Sequence, residues 1–285
     1  MPISVLPSGA ALGAEIDVDL SQSIDDAMFR EIVDAFHDNI VVVFRNQHLS
    51  NAQHVAFSRR FGELEIHIVK KYLLSDYPEI LLVTNIRNDA GENIGLADAG
   101  FTWHSDVSYR KHPSRCSLLY AIEVPEMDGT TLGSTLFANT IRAYEALPRS
   151  MKTWLTGRKA IHRYSERMRV ANSPRPKLTA AQLAETPDIA HPIVRTHPFT
   201  GRRSLYVTKG ECIGIEGVPD DEGRAVIEAL HDHCIKDAFL YRHTWRVGDL
   251  LMWDNAAAMH LAICDYDLPQ RRLMHRTTVI GSVPF

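Results

Sequence analysis

Hydrophobic and polar positions along the chain follow patterns that predict many short strands and a few amphipathic helices. Apolar residues recur at helical spacing after Asp25, Ser50 and Asp220, so we predict helices that end near residues 39, 60 and 235. Continuous apolar runs rich in β-branched residues predict buried strands instead. The clearest predicted strands cover residues 40–44, 80–84, 115–123 and 250–253. The first two helices should pack on the outside of the sheet.

Two segments interrupt these patterns and are predicted to be lid-like insertions. Residues 66–100 are broken by asparagine and glycine, and residues 163–190 are polar and contain three prolines. Polar loops on a rigid scaffold often carry function. At 285 residues the chain exceeds the commonest domain length, but β-barrel and sandwich enzymes of this size are often one domain. We therefore predict a single domain over residues 1–285.

The stretch with the clearest chemistry is Trp103-His104-Ser105-Asp106. In a strand, residues i and i+2 project from the same face, so His104 and Asp106 are predicted to converge on one ion. The segment from Trp253 to His260 can supply a third ligand. Two histidines and one carboxylate on one side of a metal leave the other side open, as in non-haem Fe(II) oxygenases.

A His-x-Asp pair is weak evidence alone, because such pairs arise by chance and the chain has fourteen histidines. Independent support comes from the C-terminal strand, where Arg272, Met274 and Arg276 would share one face. Arg271 would point to the other side. Two guanidinium groups in the same cavity as a metal indicate two bound anions, since arginine grips a carboxylate or sulfonate bidentately.

The distance between the ligands along the sequence constrains the fold. His104 and His260 are 156 positions apart, so only a folded sheet can bring them together. Many short strands, a few flanking helices and ligands on distant strands indicate a mainly β protein. We predict a double-stranded β-helix, that is, a cupin-like jelly roll.

Composition excludes several other classes of protein. The formal net charge of −4 gives no sign of nucleic-acid binding, and no apolar run approaches the ~20 residues that cross a bilayer. The N-terminus lacks the basic and apolar regions of a secretory signal. The four cysteines are scattered without a Cys-x-x-Cys pair, which argues against a disulfide framework or structural zinc and favours the cytoplasm.

Six sequence blocks carry a resemblance to a known family. They are VVVFRNQ at 41–47, FGELE at 61–65, WHSD at 103–106, TLFAN at 135–139, HPIVRTHPFTGRRSLYV at 191–207 and WDN at 253–255. In this order they resemble the taurine and 2,4-dichlorophenoxyacetate dioxygenases, the TauD/TfdA family. The resemblance implies a jelly roll that uses Fe(II), 2-oxoglutarate and O2. It also implies that the substrate is hydroxylated with release of succinate and CO2, followed by C–S or C–O cleavage.

The same resemblance assigns the cofactor residues. It implies that His104, Asp106 and His260 are the metal ligands and the catalytic centre. It implies that Thr135 and Arg272 hold the distal carboxylate of 2-oxoglutarate. Counting forward from Pro125 gives Thr131 as the matching threonine, and counting back from the TLFAN block gives Thr135. We adopt Thr135 because that block continues unbroken into the following helix.

Substrate binding is assigned by resemblance to His67 and Arg276, which would clamp a sulfonate or carboxylate. Several positions depart from the taurine enzymes, and these are Lys70, Gly100, Glu211 and Ala256. The departures favour a reshaped pocket for another small organic anion. An organosulfonate, an alkyl sulfate ester or an aryloxyalkanoate is expected, and the sequence does not choose among them.

Two other functions are compatible with the metal ligands. A non-catalytic metal-binding jelly roll would not need the open coordination face or both arginines. A zinc hydrolase can use the same three side chains, but the paired arginines and the family blocks disfavour it. The resemblance further implies a homo-oligomer, either a dimer or a tetramer.

Overall fold

The computed structural model describes residues 3–97, 99–164, 184 and 186–285. Most of the predicted second insertion, namely residues 165–183 and 185, lies outside these residues. Helices whose bounds are described are α1 (Asp26–Asn39), α2 (Asn51–Arg59), α3 (Thr140–Glu145), α4 (Arg149–Leu155) and α5 (Asp220–Cys234). The strands of the N-terminal half are β1 (Ser4–Pro7), β2 (Ala14–Asp17), β3 (Val41–Phe44), β4 (Leu73–Leu74), β5 (Tyr77–Thr84), β6 (Ser114–Glu123), β7 (Glu126–Met127), β8 (Thr130–Thr131) and β9 (Thr135–Asn139). The remaining strands are β10 (Lys159–His162), β11 (Ile189–Pro192), β12 (Val194–Thr196), β13 (Arg203–Leu205), β14 (Cys212–Ile215), β15 (Leu240–His243), β16 (Leu250–Asp254), β17 (Ala258–Ala262) and β18 (Leu273–Ile280).

Helices α1 and α2 begin where capping residues in the sequence predict. The Asp25 carboxylate accepts a hydrogen bond from Met28 N at 2.8 Å, and Ser50 forms a reciprocal capping box with Gln53. The two helices cover one face of the main sheet with buried side chains that include Ile32, Phe36, Val55 and Phe57. The predicted position of these helices outside the sheet is therefore confirmed.

The main sheet has eight strands in the order β1-β2-β3-β16-β6-β18-β5-β4. Strand β3 lies between two apolar layers, because Val42 and Phe44 face the helices whereas Val41 and Val43 face the interior. Burial on both faces explains why its sequence is an uninterrupted apolar run. The predicted strand at 40–44 is confirmed, with its first residue one position later.

A second sheet, β15-β9-β17, packs across the interior face of the main sheet. Side chains from both sheets fill the space between them, and Phe137 of β9 meets Trp253 of β16 with ring centroids 5.7 Å apart. Helices α3 and α5 contribute to a further apolar cluster with Ala138 and Met259 of the second sheet. Two facing sheets, antiparallel except where β2 pairs in parallel with β3, form the predicted jelly roll with external helices.

Burial alternates in the first half of strand β18. It pairs with both β5 and β6, and Met274 and Arg276 are buried whereas Leu273 and His275 are partly exposed. Arg272, one residue before the strand, is also buried. The predicted shared face of Arg272, Met274 and Arg276 is confirmed by this burial. Across the part of the chain that the structure describes, no helix has both the length and the apolar character needed to cross a membrane.

Candidate active site

Three side chains converge at one edge of the space between the two sheets. His104, Asp106 and His260 each offer a ligand atom, and these atoms lie within 4.8 Å of one another. The nearest approaches are 3.6 Å from His104 Nε2 to Asp106 Oδ1 and 4.0 Å from His260 Nε2 to Asp106 Oδ2. All three residues are buried. Among the described residues, no other three histidine, cysteine, aspartate or glutamate side chains bring their ligand atoms this close together.

The two histidines are held together by their own backbones. His104 N donates to His260 O at 3.1 Å, and His260 N donates to His104 O at 2.9 Å. Strand β17 fixes His260, since this residue pairs with Phe137 of β9. The ring centroids of His104 and His260 are consequently 4.1 Å apart.

The segment around Asp106 differs from the predicted strand. His104 makes a single isolated bridge, and the chain turns immediately afterwards at residues 106–109, with Val107 at a positive φ of 58°. The strand prediction for residues 103–106 is therefore wrong, although His104 and Asp106 still converge. The physical reason is that Asp106 N donates to Asn255 Oδ1 at 3.0 Å, a side-chain partner that replaces a strand neighbour.

The surroundings of the three side chains suit a divalent first-row metal. His104 Nδ1 lies 2.7 Å from Thr102 O, and because a carbonyl only accepts, Nδ1 carries the proton and Nε2 is left with its lone pair. Ser117 Oγ donates to Asp106 Oδ2 at 2.7 Å and orients that carboxylate. Two imidazoles and one carboxylate are a donor set typical of Fe(II), with positions left open for other ligands. The residues present therefore fit the metal that the resemblance implies.

Charge at Asp106 is balanced by a neighbouring cation. Burial alone would raise the pKa of this carboxyl group, but Arg276 above all, followed by the adjacent His260 and His104 side chains, holds the pKa well below its usual value. The Arg276 Nη1 is 3.3 Å from Asp106 Oδ1. Asp106 is therefore ionised at neutral pH, as a metal ligand must be.

A pocket opens beside the two histidines. It is lined by Val83, Ala99, Gly100, His104, Leu119, Thr135, Trp245, Trp253, His260, Ala262, Arg272 and Arg276. Thr135 is the first residue of β9 and lies in this pocket, whereas Thr131 belongs to the separate two-strand hairpin β7-β8. The geometry favours Thr135 over Thr131 as the threonine that faces a bound ligand.

Arg272 reaches the pocket as a buried cation. Only 4% of it is exposed, and its Nε has no hydrogen-bond partner among the residues that the structure describes. Its neighbour Arg271 points outwards and pairs with Glu123 at 3.0 Å. The predicted opposite directions of Arg271 and Arg272 are confirmed. An incompletely satisfied buried guanidinium is costly unless it binds an anion, so Arg272 is suited to hold one.

The two residues predicted to bind substrate are in different environments. Arg276 lines the pocket and pairs with Asp106, so it is placed beside the metal ligands. His67 is half-buried, and its Nδ1 accepts a hydrogen bond from Val69 N at 3.1 Å. The adjacent Ile68 lines a second cavity with Glu65, Tyr109 and Arg110. The substrate role of His67 stays a prediction.

The positions that depart from the taurine enzymes also differ in their surroundings. Gly100 has a φ of 84°, and a Cβ there would lie 3.1 Å from Ala262 Cβ and 3.7 Å from His104 Cε1. Glu211 is buried, with Oε2 3.4 Å from Ser105 N, whereas Lys70 is exposed. Gly100 therefore keeps the pocket open beside His104, and Glu211 places a carboxyl group against the segment from His104 to Asp106.

Sequence reasoning missed three polar residues of the site. Ser117 and Asn255 orient Asp106, and Trp245 Nε1 donates to Thr135 Oγ1 at 3.0 Å. Asn255 belongs to the WDN block, which contributed to the family resemblance but did not indicate that Asn255 contacts Asp106. Ser117 and Trp245 gave no signal, because a serine within a strand or a tryptophan after one is ordinary in a folded core.

Comparisons with known proteins find related dioxygenases that match nearly the full length of this chain. A model of the family described as "Taurine catabolism dioxygenase TauD, TfdA family" matches residues 4–278. The alpha-ketoglutarate-dependent 2,4-dichlorophenoxyacetate dioxygenase of Cupriavidus pinatubonensis is 34% identical over 281 residues, which cover 95% of this chain and 94% of that protein. Pentalenolactone F synthase of Streptomyces avermitilis is 31% identical over 303 residues, with 100% of this chain and 95% of that protein covered. The crystal structure of AAD-2 in complex with Mn(II) and N-oxalylglycine has a TM-score of 0.83 and 28% identity, and the match covers 100% of this chain and 99% of that one.

Proposed function

The chain belongs to the taurine catabolism dioxygenase TauD, TfdA family and is an Fe(II)- and 2-oxoglutarate-dependent dioxygenase, and from this premise we propose that it hydroxylates a small organic anion at a metal centre formed by His104, Asp106 and His260. One observation carries the proposal. The three ligand atoms lie within 4.8 Å of one another, and the pocket at the two histidines also contains Thr135, Arg272 and Arg276.

The bound groups supply the oxidising chemistry: O2 is consumed, 2-oxoglutarate leaves as succinate and CO2, and one oxygen atom enters the substrate. His104, Asp106 and His260 would hold Fe(II) on one side only. Ser117 and Asn255 keep the Asp106 carboxylate and backbone in place, and Thr102 fixes the tautomer of His104. These contacts would keep the three side chains oriented toward a bound metal.

Arg272 and Thr135 would bind the distal carboxylate of 2-oxoglutarate. Both are buried and face one pocket with the two histidines, so a short dicarboxylate held by them would lie beside the residues that would hold the metal. The unsatisfied Arg272 Nε supports this role, because a carboxylate is the natural partner of a buried guanidinium. Apolar walls from Val83 and Leu119 would exclude water from the same space.

Arg276 would bind the anionic group of the prime substrate. Its guanidinium is beside Asp106, so an anion held there would lie close to the reacting centre. The Cupriavidus relative acts on 2,4-dichlorophenoxyacetate, an aryloxyalkanoate, and it is 34% identical to this chain. We propose an aryloxyalkanoate as the first substrate class to test, with organosulfonates and alkyl sulfate esters next. Hydroxylation at the carbon that bears the heteroatom would then cleave the C–O or C–S bond.

The direct test measures coupled product formation. Anaerobically purified protein is loaded with Fe(II) and 2-oxoglutarate, exposed to O2, and assayed for succinate with aryloxyalkanoates, sulfonates and sulfate esters. We expect succinate release that rises strongly with one of these classes and is lost in the H260A variant. A zinc hydrolase would convert the substrate without consuming O2 or forming succinate. A non-catalytic binding protein would form neither succinate nor a converted substrate. Either result would overturn the proposed function.

We also propose the domain organisation, the cellular compartment and the oligomeric state of the protein. The resemblance to the family supports a cytoplasmic single-domain enzyme that forms a homodimer or homotetramer. Burial of Cys116, Cys212 and Cys234 agrees with thiols in a reducing compartment. Light scattering coupled to gel filtration tests the assembly, and a monomer at micromolar concentration would contradict it.

A further inference from the structure

A buried indole contacts the hydroxyl group of Thr135. Trp245 Nε1 donates a hydrogen bond to Thr135 Oγ1 at 3.0 Å, and only 1% of Trp245 is exposed. We propose that Trp245 is a positioning residue that aims the Thr135 hydroxyl proton into the pocket and so selects 2-oxo acids that carry a distal carboxylate. This inference rests on the proposed function, because it concerns the binding of 2-oxoglutarate at that same site.

The direction of the hydroxyl follows from the chemistry of the two groups. An indole N–H is a donor only, so the Thr135 oxygen must accept from it and its single proton must point elsewhere. No other hydrogen bond of this hydroxyl occurs within the described residues. The pocket contains Thr135, so the proton is available to a ligand there. Without the indole, the hydroxyl can rotate and present a lone pair, which repels a carboxylate.

Trp245 is itself held firmly, as a positioning residue must be. Its ring meets His243 edge to face at a centroid distance of 4.6 Å. His243 Nε2 lies 3.2 Å from Asp249 Oδ2, and the same carboxylate oxygen is 2.6 Å from Arg45 Nη1. Thr135 is equally constrained, because it pairs with His243 of β15. The hydroxyl is therefore carried by β9, and the indole lies two residues after β15, the strand that pairs with β9.

The same indole ring lies beside the second predicted anchor. The Arg272 guanidinium carbon is 5.9 Å from the centre of the Trp245 ring. The unsatisfied Arg272 Nε and the free proton of Thr135 are two donors in one buried pocket. A carboxylate has two oxygens and can accept from both, whereas a methyl group at the same position would leave both donors unsatisfied. The pair therefore favours 2-oxoglutarate over 2-oxopentanoate, which has the same chain length and no second carboxylate.

The test compares these two 2-oxo acids in the W245F variant, which keeps an aromatic ring and loses the N–H. Dissociation constants are measured on Mn(II)-loaded protein, by calorimetry for 2-oxoglutarate and by competition for 2-oxopentanoate. We expect W245F to weaken 2-oxoglutarate binding about tenfold, the scale of one charge-assisted hydrogen bond, and to change 2-oxopentanoate binding less than about twofold. The matched control is W154F, since Trp154 lies in α4 beside Arg158 and outside the pocket.

A double-mutant cycle shows whether the effect passes through Thr135. In the T135V background, which has no hydroxyl, W245F should add less than about twofold. In the T135S background, which keeps one, the loss should stay near tenfold. Equal weakening of both oxo acids, an unchanged affinity for 2-oxoglutarate, or a full effect in T135V would each overturn the inference. A wild-type protein that binds no 2-oxoglutarate would refute the proposed function as well.

A measurement on the wild-type protein covers the case in which W245F does not fold. The protein is labelled with 15N-tryptophan and loaded with Zn(II), and the four indole N–H signals are assigned by single substitutions. Addition of 2-oxoglutarate should shift the Trp245 signal, because the Thr135 hydroxyl gains an acceptor and hydrogen bonds in a chain polarise one another. The Trp154 signal should not move. A Trp245 signal that does not shift in the 2-oxoglutarate complex would contradict the proposed chain of hydrogen bonds from Trp245 through Thr135 to the ligand.

Discussion

The Arg276 guanidinium lies 3.3 Å from Asp106 Oδ1, so the predicted substrate cation is directly paired with a predicted metal ligand. The two residues are 170 positions apart in the sequence and meet because β18 pairs with β6 next to the turn that contains Asp106. Arg276 therefore faces both the metal centre and the pocket. A substrate anion bound to Arg276 would therefore share this guanidinium with the Asp106 carboxylate.

Replacement of Arg276 should weaken binding of the prime substrate. We expect R276A to raise its KM by about 10- to 100-fold, because a charge-assisted hydrogen bond is worth about 1.5–3 kcal/mol. R276K keeps the charge but not the planar fork, so part of the affinity should return. Steady-state kinetics with the best substrate measures both effects. An unchanged KM in R276A would remove Arg276 from the substrate site.

Adjacent arginines allow a matched test of 2-oxoglutarate binding. R272A removes the buried pocket cation and should raise the KM for 2-oxoglutarate by about 10- to 100-fold. R271A removes an exposed cation that pairs with Glu123, and it should change this KM less than about twofold. Titration of 2-oxoglutarate at saturating substrate measures both values. If R271A had the larger effect, the direction assigned to the two side chains would be wrong.

Much of the fold and of the candidate metal centre was predictable from local sequence. The caps at Asp25 and Ser50 determine where helices start, and the apolar run of β3 reflects burial on both faces. The alternation through Arg272 and Arg276 correctly indicated one buried face. Each of these features depends on a residue and its near neighbours, which is why sequence patterns reveal them.

The features that escaped prediction depend on partners distant in the sequence. Asp106 leaves extended structure because Asn255 satisfies its backbone N–H, a contact across 149 positions. The hydrogen bond from Trp245 to Thr135 spans 110 positions and joins the segment after β15 to β9. Periodicity describes which face a residue occupies, and it contains no information about which polar group lies opposite.

A buried histidine should make stability fall in mild acid. Burial, followed by the nearby charge of His275, lowers the pKa of His54 to about 3. Between that value and the ordinary pKa of about 6.5 the unfolded chain binds the extra proton, so stability present above pH 6.5 is lost as the pH falls. At pH 5 the loss from His54 is roughly 2 kcal/mol, at 1.36 kcal/mol per pKa unit.

The substitution H54Q tests this loss by removing the titrating group. Glutamine is neutral and can still bond Thr277, which lies 3.2 Å from His54 Nε2. The free energy of unfolding, measured in urea at pH 7 and pH 5, should fall by roughly 2 kcal/mol less in H54Q than in wild type. H48Q, at an exposed histidine, is the control and should keep the wild-type difference. Identical pH dependence in H54Q and wild type would show that His54 is not the source.

Two serines in β6 allow the orientation of Asp106, the predicted metal ligand, to be tested separately from general core packing. Ser117 Oγ donates to Asp106 Oδ2 at 2.7 Å, whereas Ser114 Oγ is buried and has no hydrogen-bond partner among the described residues. We expect S117A to weaken Fe(II) or Mn(II) binding by about 10- to 100-fold, because the carboxylate loses the contact that orients it. S114A should leave the affinity within about twofold, since it removes a hydroxyl that orients no ligand. Calorimetric titration of the metal measures the affinities, and the metal-induced rise in Tm should shrink in S117A alone. Equal losses in both variants would mean that packing of β6, rather than the bond to Asp106, determines metal affinity.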